Sequence, residues 1–134
     1  MTIASPLTAA VTIAALAVYF ADALRVARAR TRLKVPPPSI DGTPEFERMY
    51  RVQMNTLEQI VLFLPVLWLS AAAWGDRWPA LIGIVWPIGR IIYARGYIEA
   101  PEKRHRGFAI AIFTSMALAL AAELRAAGEH VIVE

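Results

Sequence analysis

Four long apolar runs separated by short charged stretches predict an all-α chain built as a four-helix bundle in a membrane. The first run, from about Ile3 to Leu24, carries a single charge, Asp22. Its length is close to the ~20 residues a helix needs to cross the hydrocarbon core. Asp22 precedes Arg25 by three residues, so the two can pair on a helix. The first helix is expected over about residues 3–30, continuing into an arginine-rich stretch until Pro36-Pro37-Pro38 stops it. Thr43-Pro44 reads as a cap followed by proline at the first helical position, so a second helix is expected over 44–74. Its first turns are polar, its stretch from Gln59 to Trp74 has no charge, and Pro65 inside it is tolerable where neighbouring helices pack against it. Gly75-Asp76-Arg77 reads as a tight turn leading to a third helix over 78–99, kinked at Pro87. After a polar loop from Ala100 to Arg106, a fourth helix is expected over 105–125. The whole chain, 1–134, reads as a single transmembrane domain.

Composition agrees with the pattern. Hydrophobic residues make up 57% of the chain and charged ones 19%, with a mean hydropathy of +0.47. A soluble domain of 134 residues could not hide so much apolar surface, whereas a bilayer accepts it. The absence of cysteine excludes disulfides, thiolate metal sites and a protein-borne thiol nucleophile. If sulfur chemistry occurs, the sulfur arrives on a ligand.

The charges orient the bundle. Arg25 to Arg51 holds seven basic and three acidic residues, and Arg90 to Arg106 five basic and two acidic. The other ends offer only Asp76, Arg77 and a tail from Glu123 with one basic and three acidic residues. Basic loops stay on the cytoplasmic side, which places both termini outside. Met1 to Tyr19 has no Lys or Arg, so it lacks the basic start of a cleaved leader. A compact chain rich in Ala and Arg points to a bacterial inner membrane. The net charge of +3, crowded beside apolar runs, suits topology and membrane lipids; no nucleic acid is expected.

Polar side chains inside or beside a span are expensive in lipid and mark protein interiors or wet pockets. Arg51, Asn55 and Glu58 follow the spacing i, i+4, i+7, one helical face; Arg90, Tyr93 and Tyr97 follow i, i+3, i+7, again one face. Both rows lie at the same end of the bundle. Arg104 follows seven residues after Tyr97, with Pro101 between them. His105 and His130 have no partners at metal-ligand spacing, and no metal site, phosphate loop or Ser-His-Asp set is expected. Spacing alone predicts a zwitterionic ligand whose carboxylates meet arginines and whose amine meets one carboxylate.

The stretch Pro44-Glu45-Phe46-Glu47-Arg48-Met49-Tyr50-Arg51-Val52-Gln53-Met54-Asn55-Thr56-Leu57-Glu58 resembles the second-helix signature of the MAPEG family, the membrane-associated proteins of eicosanoid and glutathione metabolism. Gly89-Arg90-Ile91-Ile92-Tyr93-Ala94-Arg95-Gly96-Tyr97, followed by Arg104 and Gly107-Phe108, resembles its third-helix signature. The resemblance implies a homotrimer that binds glutathione, a co-substrate, in clefts between protomers open to the cytoplasm. It implies that Arg51, with Arg30 and Gln53, binds the tripeptide's carboxylates and that Glu58 takes its amino group. Asn55, Tyr93 and Tyr97 would hydrogen-bond or pack along it, with Arg90 as a supporting charge. Arg104 looks like the family's thiol-activating arginine, the one catalytic assignment. Thr31 and Gln59 stand where the leukotriene C4 synthase-like branch has Arg and Tyr, which points to a broader detoxifying transferase. The expected activity is glutathione conjugation to lipophilic electrophiles, with hydroperoxide reduction beside it. The rival expectation is a non-catalytic scaffold or small transporter subunit. A transporter needs intramembrane charges lining a path to both sides, and here they gather at one.

Overall fold

The computed structural model describes residues 4–133. Ile3, where the first apolar run is expected to begin, and Glu134 lie outside them. Helix α1 (Pro6–Leu33) is followed by α2 (Pro44–Trp74), α3 (Arg77–Gly83), α4 (Val85–Glu99), a 3-10 turn over Pro101–Arg104, and α5 (His105–Val133). The helices α1 and α2, and the stretch Pro101–Glu129 that takes in the 3-10 turn and most of α5, are each long and apolar enough to cross a membrane. The chain is a four-helix membrane bundle in which α3 and α4 together make the third rod.

Two elements differ from the sequence-based expectation for physical reasons. The third rod is broken at Ile84, three residues before Pro87. Pro87 has no N–H to give the carbonyl four residues back, so the hydrogen-bond ladder is interrupted there. Ile84 itself keeps right-handed helical angles (φ −63°, ψ −20°), and the rod runs on. The fourth helix continues to Val133 rather than stopping near 125. Ala126 and Ala127 favour helix, and Arg125 pairs with Glu129 one turn on at 3.5 Å, so the helix runs on through Gly128, the residue that would ordinarily end it.

Each loop is tied by side chains to the element it serves. Thr43 Oγ1 accepts a hydrogen bond from the Phe46 amide at 3.2 Å, and Pro44 fills the first helical position of α2. Asp76, in the α2–α3 turn, reaches across the bundle to the start of α1. Its carboxylate accepts the Leu7 amide at 2.8 Å and the Thr8 amide at 2.7 Å, two donors that α1 cannot satisfy itself. Loss of hydration pushes this carboxyl up, but the two amides outweigh it and hold Asp76 below the usual carboxylate range.

The core is layered along the rods. At mid-bundle, Phe63 of α2 stacks on Trp86 of α4 with centroids 4.6 Å apart, among Val11, Ile60, Leu67 and Leu118. Nearer the polar end, Val26 and Ala29 of α1 meet Phe46 and Met49 of α2, while Val52 meets Tyr93 and Ala94 of α4. Cross-links fix the register. Trp68 Nε1 donates to Thr12 Oγ1 at 3.0 Å between the antiparallel α1 and α2, and Trp74 Nε1 donates to the Ala121 carbonyl at 2.7 Å between α2 and α5.

Candidate functional site

At the end of the bundle where α2 begins and α4 finishes, a cavity of about 430 Å³ is lined by Arg51 and Asn55 of α2, Tyr93 and Tyr97 of α4, Arg104 of the 3-10 turn, and His105 and Phe108 of α5. Its size is that of a small-molecule site, roughly 300–1,000 Å³. Side chains from four segments meet here because α4 and α5 approach very closely. A methyl group added at Gly107 would overlap the Tyr93 backbone and the Gly89 carbonyl oxygen, so only glycine permits this crossing. That contact sets Tyr93 and Tyr97 facing the turn that carries Arg104.

Within the cavity the polar groups are loosely held, which leaves them free for a ligand. Asn55 Nδ2 donates to Glu58 Oε2 at 3.3 Å, and Arg51 Nη1 lies 3.9 Å from Glu58 Oε1. Both members of that ion pair are more than half exposed, so their mutual attraction is weak. Arg104 donates from Nη1 to the Pro101 carbonyl at 2.9 Å, and its guanidinium carbon lies 5.8 Å from the centre of the Tyr97 ring. The carbonyl steers the side chain without neutralising its charge. Tyr93 packs against Tyr97 and Phe108, with centroids at 5.6 and 6.4 Å.

Behind the cavity lies a buried polar chain. Arg90 of α4 is fully buried and donates from Nη2 to Thr56 Oγ1 at 2.9 Å. The Thr56 hydroxyl lies 2.9 Å from Asp22 Oδ2 of α1, and Asp22 Oδ1 pairs with Arg25 at 2.7 Å. The Arg90 guanidinium sits 4.0 Å from the centre of the Tyr93 ring, which braces the cavity wall by cation–π attraction. Arg90 therefore touches the site from behind.

The structure brings Arg51, Asn55, Tyr93, Tyr97 and Arg104 to one cavity, with Glu58 on the same α2 face beside it. It places Arg30 and Gln53 elsewhere. Arg30 donates from Nη1 to the carbonyls of Val35 at 3.3 Å and Ser39 at 2.7 Å, and lies over the Phe46 ring, pinning the α1–α2 loop. Gln53 is two residues from Arg51 and hence about 200° round the helix, on its far side. The sequence assigned no site role to His105, Phe108 or Thr56. Arg104 and Phe108 are four residues apart, a spacing that puts both on one helical face. Thr56 offered no such signal, since a threonine in an apolar helix ordinarily bonds its own backbone, and the Thr56 hydroxyl does lie 2.9 Å from the Val52 carbonyl oxygen.

Helices long and apolar enough to span a bilayer, with a basic and aromatic cavity at one end, define a small polytopic membrane protein with a ligand-sized site at one end of its bundle. The chain belongs to the MAPEG family, whose model matches residues 8–124. It is 46% identical over 116 residues to an uncharacterized protein of Synechocystis sp., covering 87% of this chain and 85% of that one. It is 39% identical over 94 residues to microsomal glutathione S-transferase 2 of Homo sapiens, covering 70% of this chain and 63% of the relative. Against leukotriene C4 synthase of Bos taurus the identity is 40% over 86 residues, covering 64% and 56% respectively. The chain thus spans less than two thirds of the length of the last two relatives.

Proposed function

We propose that the protein is a glutathione-dependent membrane transferase that conjugates the tripeptide to lipophilic electrophiles and reduces lipid hydroperoxides as a side activity. The observation that carries this reading is the cavity in which Arg104 faces Arg51, Asn55, Tyr93 and Tyr97. Similarity to the human transferase and the bovine synthase supports it. Glutathione offers two carboxylates, an amine and a thiol. Arg51 answers a carboxylate, Glu58 the amine, and Asn55 and the tyrosines the peptide between them. Arg104 stands beside the sulfur. A guanidinium stays protonated, so it acts by charge: it lowers the thiol pKa from ~8.5 towards neutrality, and the proton leaves through the open polar end. The thiolate then attacks the electrophilic carbon, and an S–C bond forms as the bond from that carbon to its leaving group breaks. With a hydroperoxide, two glutathiones are oxidised to the disulfide while the hydroperoxide becomes alcohol and water. The electrophile enters sideways from the bilayer, and holding it against the thiolate supplies much of the rate.

In this reading the working unit is a homotrimer with its clefts between protomers, open to the cytoplasm of a bacterial cell. Arg30 and Gln53, which lie outside the cavity of their own chain, then serve the cleft of a neighbour. The decisive experiment compares wild type with Arg104→Ala in detergent. Glutathione binding to wild type should raise the ultraviolet thiolate absorbance. Arg104→Ala should abolish that rise and lower conjugation by about 10²-fold or more, while calorimetry still detects bound glutathione. Normal thiolate formation in the variant rules out the role given to Arg104, and no binding to wild type at millimolar glutathione sinks the reading as a whole.

A further inference from the structure

On the outer side of the turn that carries Arg104 there is a second cavity of about 630 Å³. Its charged or titratable lining residues are Arg95, Glu102, Lys103, His105 and Arg106, and Ile92 forms its apolar edge. His105 borders this cavity and the candidate site alike. The turn is pressed onto α4 at Gly96, where an added methyl group would come within 2.5 Å of the Lys103 carbonyl oxygen. The cavity therefore has a fixed floor.

Its charges are unevenly matched. Glu99, four residues after Arg95, is the helical partner Arg95 would ordinarily take, but it pairs with Lys103. Arg106 is four residues after Glu102, yet among the described residues neither Arg95 nor Arg106 takes part in an ion pair. Two guanidiniums thus face one cavity with Glu102 as its sole lining carboxylate. Below them the surface is apolar. Ile88, Ile92 and Arg95 follow i, i+4, i+7 on one face of α4, and the two isoleucines are exposed at 51% and 40%.

We infer that this cavity binds the phosphate of an anionic phospholipid, with Arg95 and Arg106 on the phosphate and the acyl chain along Ile92 and Ile88. The forked donors of arginine match phosphate oxygens, and anionic lipids are drawn to basic side chains beside a span. A free phosphate would use the guanidiniums and leave the isoleucine stripe idle, so the lipid is the occupant that fits both halves. Bound there, it clamps the turn to the end of α4 from the side opposite the candidate site.

The test is native mass spectrometry of the protein released from nanodiscs of phosphatidylcholine with a minor share of phosphatidylglycerol. Wild type should retain phosphatidylglycerol in preference, and Arg95→Gln/Arg106→Gln should lose that preference by roughly tenfold or more. Arg28→Gln, which removes another interfacial cation, should leave it unchanged. Both substituted positions are exposed, and circular dichroism with a thermal scan confirms that the double variant is folded. Hydrogen exchange across residues 100–107 should slow in phosphatidylglycerol discs for wild type alone. Equal loss in Arg28→Gln would mean diffuse surface attraction and overturn the site. Displacement of the lipid by millimolar inorganic phosphate would overturn the lipid as its occupant.

Discussion

Asp22 shows how much a single side chain can carry in a low-dielectric span. Read from the sequence it is the partner of Arg25, and that pair is present at 2.7 Å. Its second oxygen does more, because through the Thr56 hydroxyl it reaches Arg90, which is fully buried and whose Nε and Nη1 have no hydrogen-bond partner among the described residues. A buried guanidinium without a counter-charge is costly, and removing one partner of such a set destabilises by about 3 kcal/mol or more. Asp22→Asn should therefore lower stability by that order and loosen Tyr93, whose ring the guanidinium braces. Arg90→Met should also cost stability, but the double variant Asp22→Asn/Arg90→Met should lose clearly less than the sum of the two. A double-mutant cycle on thermal unfolding in detergent decides this. Strict additivity would mean the two charges do not sense each other through Thr56. Distance in sequence hid the network: Thr56 lies 34 residues from both Asp22 and Arg90, and no local spacing rule connects them.

Between elements, the most informative link is the one Asp76 makes to α1. Helix α1 starts at Pro6 with no cap from its own neighbour Ser5, and the amides of Leu7 and Thr8 are satisfied from the α2–α3 turn instead. The carboxylate also favours the positive end of the helix dipole. Because the folded protein holds the Asp76 carboxyl below its ordinary value of 3.8, the ionised form contributes stability above the unfolded pKa. That contribution fades as pH falls through the folded pKa. Asp76→Asn should thus unfold at a lower temperature than wild type at neutral pH, and the gap should close as the pH drops below about 4. Thermal scans in detergent at stepped pH measure it, and a gap that persists undiminished at the acid end would show that the charge contributes nothing to the cap. The sequence showed a turn at Gly75-Asp76-Arg77 and no more, because the acceptor and its donors are 68 and 69 residues apart. The same limit applies to the third rod: Pro87 announced a kink, but a break at Ile84 depends on how the freed carbonyl is left in the bundle.

For the molecule as a whole, the apolar runs made the all-α membrane bundle legible, since a bilayer leaves helices few alternatives once each run is long enough. The rows on α2 and α4 were legible for the same reason, as helical period alone puts Arg51 with Asn55 and Tyr93 with Tyr97. What period cannot give is which chain supplies the far wall of a cleft. Gln53 and Arg30 point the problem up: the resemblance groups them with the cavity residues, yet Gln53 is round the far side of α2 and Arg30 is engaged with the α1–α2 loop. If protomers share each cleft as proposed, Arg51→Ala and Gln53→Ala damage different walls. Each homotrimer should bind glutathione weakly, by roughly tenfold for a lost charge-assisted or neutral contact. Mixed trimers of the two variants must contain at least one cleft that takes Arg51 from a Gln53→Ala chain and Gln53 from an Arg51→Ala chain, so a fraction of sites recovers wild-type affinity. Purifying mixed trimers through two different tags and titrating them by calorimetry should reveal this tight fraction. Mixed trimers with only weak sites would place both residues' work within one chain, and the cavity of the single protomer would then be the entire site.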